Sequence, residues 1–414
     1  MASQDRVSWR LGGALFISLF FLWGVGYNCF PIFLPSMIKQ FHLTREQAGL
    51  VPAAQAITAG VFGMFVGWLL DRVQAQIVMG IGAVLTACGI VSIARAGSLN
   101  GLLAGSVITG IGMSASTILP ASMVISNWFG ERRGTALGVT MAGMETGGMV
   151  MTMLAGYLIV TSGWRLAYIL LALPIIVVVL PLYLIFVRTR PMSPPTAAPF
   201  KAGVAETVRT LSGLEVSEAV RTRAFWMLVA LQFSYTFVIG GSFIHLVQYL
   251  IGIGYTQAVG TMVVSFSLGL ALIGKPAMGA LGDRIGGKNA LTLCLLAGAV
   301  NMFFLLSARN FGALIAFTLI AGITSAAPVA LGPMVQVETL GLRRYGSIMG
   351  LLGIPFTLGA AVGPPIIGHI ADLNGGSYAL SFEVCVVVGL LGAMAAYLCV
   401  APTTARIGVL AQAK

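Results

Sequence analysis

An all-α membrane protein, with twelve transmembrane helices in two pseudo-symmetric six-helix bundles, is the fold predicted by three features of the sequence. The first is composition. Of 414 residues, 58% are hydrophobic and only 8% charged, with a mean hydropathy of +0.96, far from the balance of water-soluble domains. The second is segmentation: apolar stretches of about 20 residues, long enough to cross a hydrocarbon core as a helix, recur twelve times between short polar breaks. The third is self-similarity at an offset of 212 residues, close to half the chain.

The predicted spans are 11–37, 46–70, 75–94, 99–126, 135–159, 164–187, 224–250, 257–281, 289–307, 310–336, 346–370 and 379–401. The first follows Arg6 and Arg10 like a signal peptide, but it is too long and runs into the second span without a cleavage stretch, so it reads as a retained helix. Ahead of the second span, "LTREQAG" (43–49) sets Thr44 and Gln47 at the spacing of a capping box. After the sixth, residues 188–223 begin Pro-rich, carry most of the soluble charge and read as a cytoplasmic linker. The expected organisation is a bundle at 1–187, the linker at 188–223, and a second bundle with a short tail at 224–414.

Self-comparison supports the two halves. "GWLLDR" (67–72) falls on "GALGDR" (279–284), "GTALG" (134–138) on "GSIMG" (346–350), Gly110 on Gly322, Gly156 on Gly368 and Gly163 on Gly375. Glycines match often by chance in a chain with 53 of them, but two charged loops sharing one offset point to an internal repeat.

The net charge of +11 raises the question of a nucleic-acid partner. Sorting the 23 Lys and Arg residues by loop, with both termini cytoplasmic, puts 17 inside, 5 outside and Lys275 within the membrane. The basic charge is therefore a topology signal and excludes nucleic acid. It points to a multi-pass protein of the cell's inner (plasma) membrane. Cys29, Cys88, Cys294, Cys385 and Cys399 all sit in apolar runs without metal-ligand spacing. No Ser/His/Asp grouping, Walker sequence or HExxH is present, so neither hydrolysis nor nucleotide-driven pumping has support. No enzyme activity, cofactor or metal is expected.

Twelve spans in two halves, with Gly-x-x-x-Asp-Arg loops after the second and eighth, resemble the major facilitator superfamily over nearly the whole chain. The loop Gly279–Lys288 matches that superfamily's signature well; in the first copy Gln74, Ala75 and Gln76 replace the usual glycine and basic residues. More particular stretches are similar to the monocarboxylate transporters and their bacterial relatives, the oxalate/formate antiporters among them. These are "GYNCFPIFLP" (26–35), "NWFGERRGTALG" (127–138), "HLVQYLIGIG" (245–254), "GKPAMG" (274–279) and "GPPIIGHIADLNGGSY" (363–378).

The resemblance implies roles residue by residue. Lys275 stands where those relatives place an arginine that binds the substrate carboxylate; lysine offers a point charge in place of arginine's fork. Gln248 replaces a common proline. Tyr27 and Asn28 match a polar-aromatic pair facing the cavity, and packing is the alternative for both. The resemblance also makes the fifth and eighth spans neighbours, which would let Glu145 meet Lys275. Asp71, Arg72, Arg132, Arg133, Asp283, Arg284, Arg343 and Arg344 are expected to form a cytoplasmic gate that re-pairs between states.

The charges within apolar runs also carry a physical argument. A lysine near mid-membrane costs roughly 2.5–3.5 kcal/mol on insertion scales. Either Lys275 snorkels to the surface, since Asp283 is about 12 Å along the helix, or it faces a polar cavity. There a carboxylate at ~4 Å and an effective dielectric near 20 would gain about 4 kcal/mol, roughly a thousandfold in affinity. Glu145, in "AGMETGG" (142–148), either forms a static ion pair or takes up a proton when substrate displaces it, because desolvation disfavours its charged form.

His245 lies among Phe243, Tyr249, Tyr235 and Phe237. It reads as a proton carrier, since histidine titrates near neutral pH, or as a hydrogen-bonded interfacial residue. Tyr249 joins it as a candidate substrate contact. His369, Asp372 and Glu383 lie near the outer ends of the last two spans and read as gate or interfacial groups.

The expected function is a secondary transporter that moves a small organic monocarboxylate, with a proton, by alternating access, as a monomer in the lipid bilayer. Organic anion exchange and drug efflux are the other transport readings. A non-transporting membrane sensor is the reading from another class.

Overall fold

The computed structural model describes residues 2–70, 72–129, 133–187, 213–325, 327–341 and 345–399. Eleven helices among them are long and apolar enough to cross a membrane: Ser8–Phe41, Arg45–Leu70, Ala75–Arg95, Leu99–Ile125, Thr135–Ser162, Trp164–Phe186, Arg223–Gly252, Gln257–Ile285, Gly287–Leu306, Ser347–Leu373 and Ala379–Leu398. The tenth crossing is made of two shorter helices, Phe311–Thr324 and Ala327–Leu340. The chain is an all-α membrane protein of twelve spans.

Four spans depart from the uniform helices that hydropathy predicts, each beside a proline; the sixth does so through a π turn, Ile175–Val179, that directly follows Pro174. In the first span Gly24–Asn28 is a π turn, in which Cys29 N–H donates to Gly24 O at 3.0 Å, just before Pro31. The fourth span breaks at Thr117 into Leu99–Ser116 and Ile118–Trp128. The ring of Pro120 would meet the Ser116 carbonyl four residues earlier in a continuous helix. The tenth span breaks ahead of Pro328. The freed carbonyls recruit donors: Tyr183 Oη donates to Ser116 O at 2.6 Å, and Tyr235 Oη donates to Ser325 O at 2.6 Å.

By their contacts the described residues fall into two units. One comprises Met1–Pro191, Gly240–Leu272 and Ala361–Ser381. Within it the third span packs along the fourth, the second along the fourth, and the first along the fifth. The last of these pairs explains the glycines of "AGMETGG": a Cβ on Gly143 would run into the Phe16 carbonyl, and one on Gly147 into that of Phe20. The first and fifth spans are thus in backbone contact on either side of Glu145.

The other unit comprises Met192–Ile239, Ile273–Ala360 and Phe382–Lys414. Its described core includes Phe225, Leu228, Leu291, Leu331, Leu352 and Ala396. Large apolar side chains such as Phe65, Val160 and Ile185 in the first unit and Phe303 and Leu391 in the second lie exposed, which suits helices bathed in hydrocarbon.

One charged residue holds a helix end in the first unit. The Arg165 guanidinium donates to Ala94 O at 2.6 Å and Ala96 O at 2.7 Å, where the third span ends, and lies over the rings of Trp164 and Phe41. Hydrogen bonds from a charged donor contribute about 1.5–3 kcal/mol. Arg165→Ala should therefore lower the melting temperature in detergent clearly, and Arg165→Lys should recover less than half of the loss, because an ammonium cannot span both carbonyls in one plane. An unchanged melting temperature in the alanine variant would contradict this role.

Candidate functional site

The π turn of the first span carries Tyr27 and Asn28. Its register explains why a buried glutamine faces it. In the i→i+5 pattern the partner of Gly26 O would be Pro31, which has no N–H. Gln55, from the second span, supplies the missing donor: its Nε2 lies 2.7 Å from Gly26 O and 3.1 Å from Met113 Sδ. Widened turns of this kind are frequent at functional sites. Gln55 escaped sequence reasoning because a single amide in an apolar helix gives no periodic signal; the Pro31 register was the signal available.

Asn28 is buried, its amide lying against Gly148 and donating to Met144 O at 3.4 Å. The turn therefore touches the fifth span beside Glu145, which is half-buried. Tyr27 is half-buried too, its ring 5.2 Å from that of Trp23. Asn28 and the Glu145 segment are brought together; the ring of Tyr27 rests on its own helix.

The fifth and eighth spans are neighbours within the first unit. The hydroxyls of Thr152 and Ser265 hydrogen-bond at 2.6 Å, and Met149 packs on Gly269. Glu145 lies seven residues before Thr152 on its helix, and Lys275 ten residues after Ser265 on its own. Lys275 is half-buried inside Gln257–Ile285, immediately before Pro276. The preceding Gly274 is buried against the Ile323 and Gly322 carbonyls.

His245 is fully buried. Its Nε2 lies 2.9 Å from Pro364 O, and its Nδ1 3.1 Å from Tyr378 Oη. A carbonyl can only accept, so Nε2 carries a hydrogen, and in the neutral ring Nδ1 accepts from the tyrosine. The Tyr249 ring lies 6.1 Å from that of Tyr378. His245 and Tyr249 thus form one cluster with Tyr378 and the eleventh span.

Above that cluster, Arg45 Nη1 pairs with Asp372 Oδ1 at 3.2 Å and Glu46 Oε2 with His369 Nδ1 at 2.7 Å. The sequence pointed to His369 and Asp372 but not to their partners on the second span, because pairing across more than 320 positions leaves no local trace.

Of the expected gate residues, Arg72 is exposed with its guanidinium 4.1 Å from the centre of the Trp68 ring. Asp283 and Arg284 are exposed in the last turn of the eighth span. Arg133 opens the helix Arg133–Ser162; Asp71, Arg132, Arg343 and Arg344 lie outside the described residues. Just past the last turn of the eighth span, Glu338 Oε1 accepts from the Gly287 N–H at 3.1 Å, placing a carboxylate where a helix N-terminus favours one.

A family model described as Major Facilitator Superfamily matches residues 15–271 and 254–412. The chain belongs to the Major Facilitator Superfamily. It is accordingly a multi-pass membrane transporter of small molecules and not an enzyme. This facilitator is 25% identical over 390 residues to monocarboxylate transporter 13 of Bos taurus, covering 91% of this chain and 85% of that protein. It is 24% identical over 361 residues to a cis,cis-muconate transport protein of Acinetobacter baylyi, covering 85% and 84%. Among solved structures it resembles a bacterial homologue of the human lysosomal transporter Spinster in an inward-facing, unoccupied conformation. The TM-score is 0.74 at 18% identity over 98% of each chain, a likeness of fold alone.

If Gln55 serves this facilitator by satisfying Gly26 O, then Gln55→Leu strands a half-buried carbonyl at a cost of up to about 1–3 kcal/mol. Thermal unfolding in detergent should show that loss. Thr58→Ala, one turn along the same helix, removes a hydroxyl that bonds to its own helix at Ala54 O and should change little. Equal behaviour of the two variants would refute the role.

Proposed function

We propose that this facilitator moves a small organic monocarboxylate together with a proton, by alternating access of two six-helix halves, 1–187 and 224–414, joined by the linker 188–223. The observation that carries the reading is Lys275: a half-buried cation inside a membrane-spanning helix, whose insertion cost an anionic cargo offsets. The relatives' names, a monocarboxylate transporter and a muconate transport protein, agree with an organic anion. In this reading Tyr27, Asn28, Tyr249 and His245 contact or orient the substrate, and Glu145 takes up the coupled proton. Asp71, Arg72, Arg132, Arg133, Asp283, Arg284, Arg343 and Arg344 hold and release the cytoplasmic gate. The protein acts as a monomer in the cell's inner membrane with both termini cytoplasmic, the orientation that its Lys and Arg distribution favours.

The test is a thermal-shift screen against mono- and dicarboxylates. Short monocarboxylates should raise the melting temperature of the native protein. Lys275→Ala should abolish the shift, weakening binding by on the order of a hundredfold or more, and Lys275→Arg should keep it. Carboxylates that stabilise Lys275→Ala as well as the native chain would refute the reading.

Glu145→Gln tests the proton. In liposomes it should lose accumulation driven by a pH gradient and retain exchange of labelled substrate. Accumulation equal to that of the native protein would reject Glu145 as the proton carrier.

A further inference from the structure

The end of the first unit where the first span finishes is closed by a set of contacts that no part of the transport reading uses. Gln257 Nε2, at the start of the eighth span, donates to Ile32 O at 3.0 Å. Gly49 of the second span packs on the Pro364 backbone of the eleventh. The Glu46 N–H donates to Asp372 Oδ2 at 3.0 Å, Arg45 pairs with the same carboxylate, and its guanidinium lies 5.6 Å from the centre of the Tyr378 ring. The loop between the last two spans follows this guanidinium. Gly376, at φ +90°, leaves no room for a Cβ, which would come within 2.6 Å of Arg45 Nη2.

Within this closure one contact joins an imidazole to a carboxylate. His369 Nδ1 and Glu46 Oε2 are 2.7 Å apart, with side chains 52% and 46% exposed. Among the described residues, the charged and titratable groups beside them include Arg45 from the second span. Asp372 comes from the eleventh span, Tyr378 from the following loop and His245 from the seventh span beneath. Arg45 is spoken for by Asp372. Burial pushes the Tyr378 phenol above its ordinary range, so it stays protonated through pH 8 and remains a donor to His245.

We infer that His369 and Glu46 form a proton-binding site on this latch, separate from the proton carrier of transport, and that acid tightens the closed end. A neutral imidazole still donates Nδ1–H to the carboxylate; the second proton turns that hydrogen bond into an ion pair. Among side chains, histidine is the one whose charge ordinarily changes in the physiological pH range. When the latch opens, the eleventh span leaves the second and the protonated ring loses its anion. Proton uptake therefore favours closure, and the added hold is lost as pH rises through the imidazole range. In the proposed orientation this end faces outside, so external acid brakes opening toward the external medium. Because the pair is half exposed, the effect is modest.

The Glu46 amide, which donates to Asp372, is a direct reporter. Hydrogen exchange measured by mass spectrometry on the full-length protein in detergent, in peptides covering 42–49 and 370–378, should show protection about two- to fivefold higher at pH 5.5 than at pH 8 once intrinsic rates are corrected. His369→Gln and Glu46→Gln should each bring that ratio to one. Asp372→Asn, which removes the partner of Arg45 but leaves the titrating pair, should lower protection at both pH values and keep the ratio. A native ratio of one, or a ratio unchanged in His369→Gln or in Glu46→Gln, overturns the proposal. If the His369 variant does not fold, Glu46→Gln decides alone. The readout needs no substrate, so the latch can fail while the transport reading stands, and the reverse.

Discussion

Backbone carbonyls that lack a helical partner are the constraint on which this structure turns. Surrounded by hydrocarbon, an unsatisfied polar group costs several kcal/mol, and each proline inside a span removes a donor and crowds the carbonyl four residues before it. Pro31, Pro120 and Pro328 do this in the first, fourth and tenth spans. Side chains from neighbouring spans respond: Gln55 to Gly26, Tyr183 to Ser116 and, at the break in the tenth span just before Pro328, Tyr235 to Ser325. The fourth and tenth spans occupy corresponding places in the two halves of the sequence, and both breaks are capped by a tyrosine hydroxyl. Paired interruptions of this kind are the general mark of a binding region in transporters built from repeats.

The same constraint ties local structure to the candidate site. A widened turn in the first span exists because the next proline cannot donate, and it sets Asn28 against the fifth span next to Glu145. Glycines at 143 and 147 let the two backbones meet there. The carboxylate therefore sits on a segment whose position is fixed by main-chain contacts on both sides.

Much of the fold was legible in the sequence. Span number and approximate limits follow from hydropathy, since a charge or a proline-glycine break is costly inside the bilayer and is selected to the loops. The capping box at Thr44 and Gln47 closes as spacing predicts, with both hydrogen bonds at 3.1 Å. Lys275, Glu145 and His245 stood out because each interrupts an apolar run. What stayed hidden depended on register or on distant pairing. Hydropathy has no period that distinguishes a π turn from an α turn, so the first span read as uniform. The broken fourth and tenth spans read as single helices because their apolar character is continuous across the break. Arg45 and Glu46 drew no attention at the start of the second span, and only the fold brings them to Asp372 and His369.

The most direct test of the account is transport itself. Purified protein reconstituted into liposomes, with an inward proton gradient, should take up a labelled short monocarboxylate saturably and faster than without the gradient. Competition by other monocarboxylates and indifference to neutral solutes are expected. No carboxylate uptake under any gradient, with movement of a cationic or neutral compound instead, would contradict the proposal that Lys275 binds an organic anion.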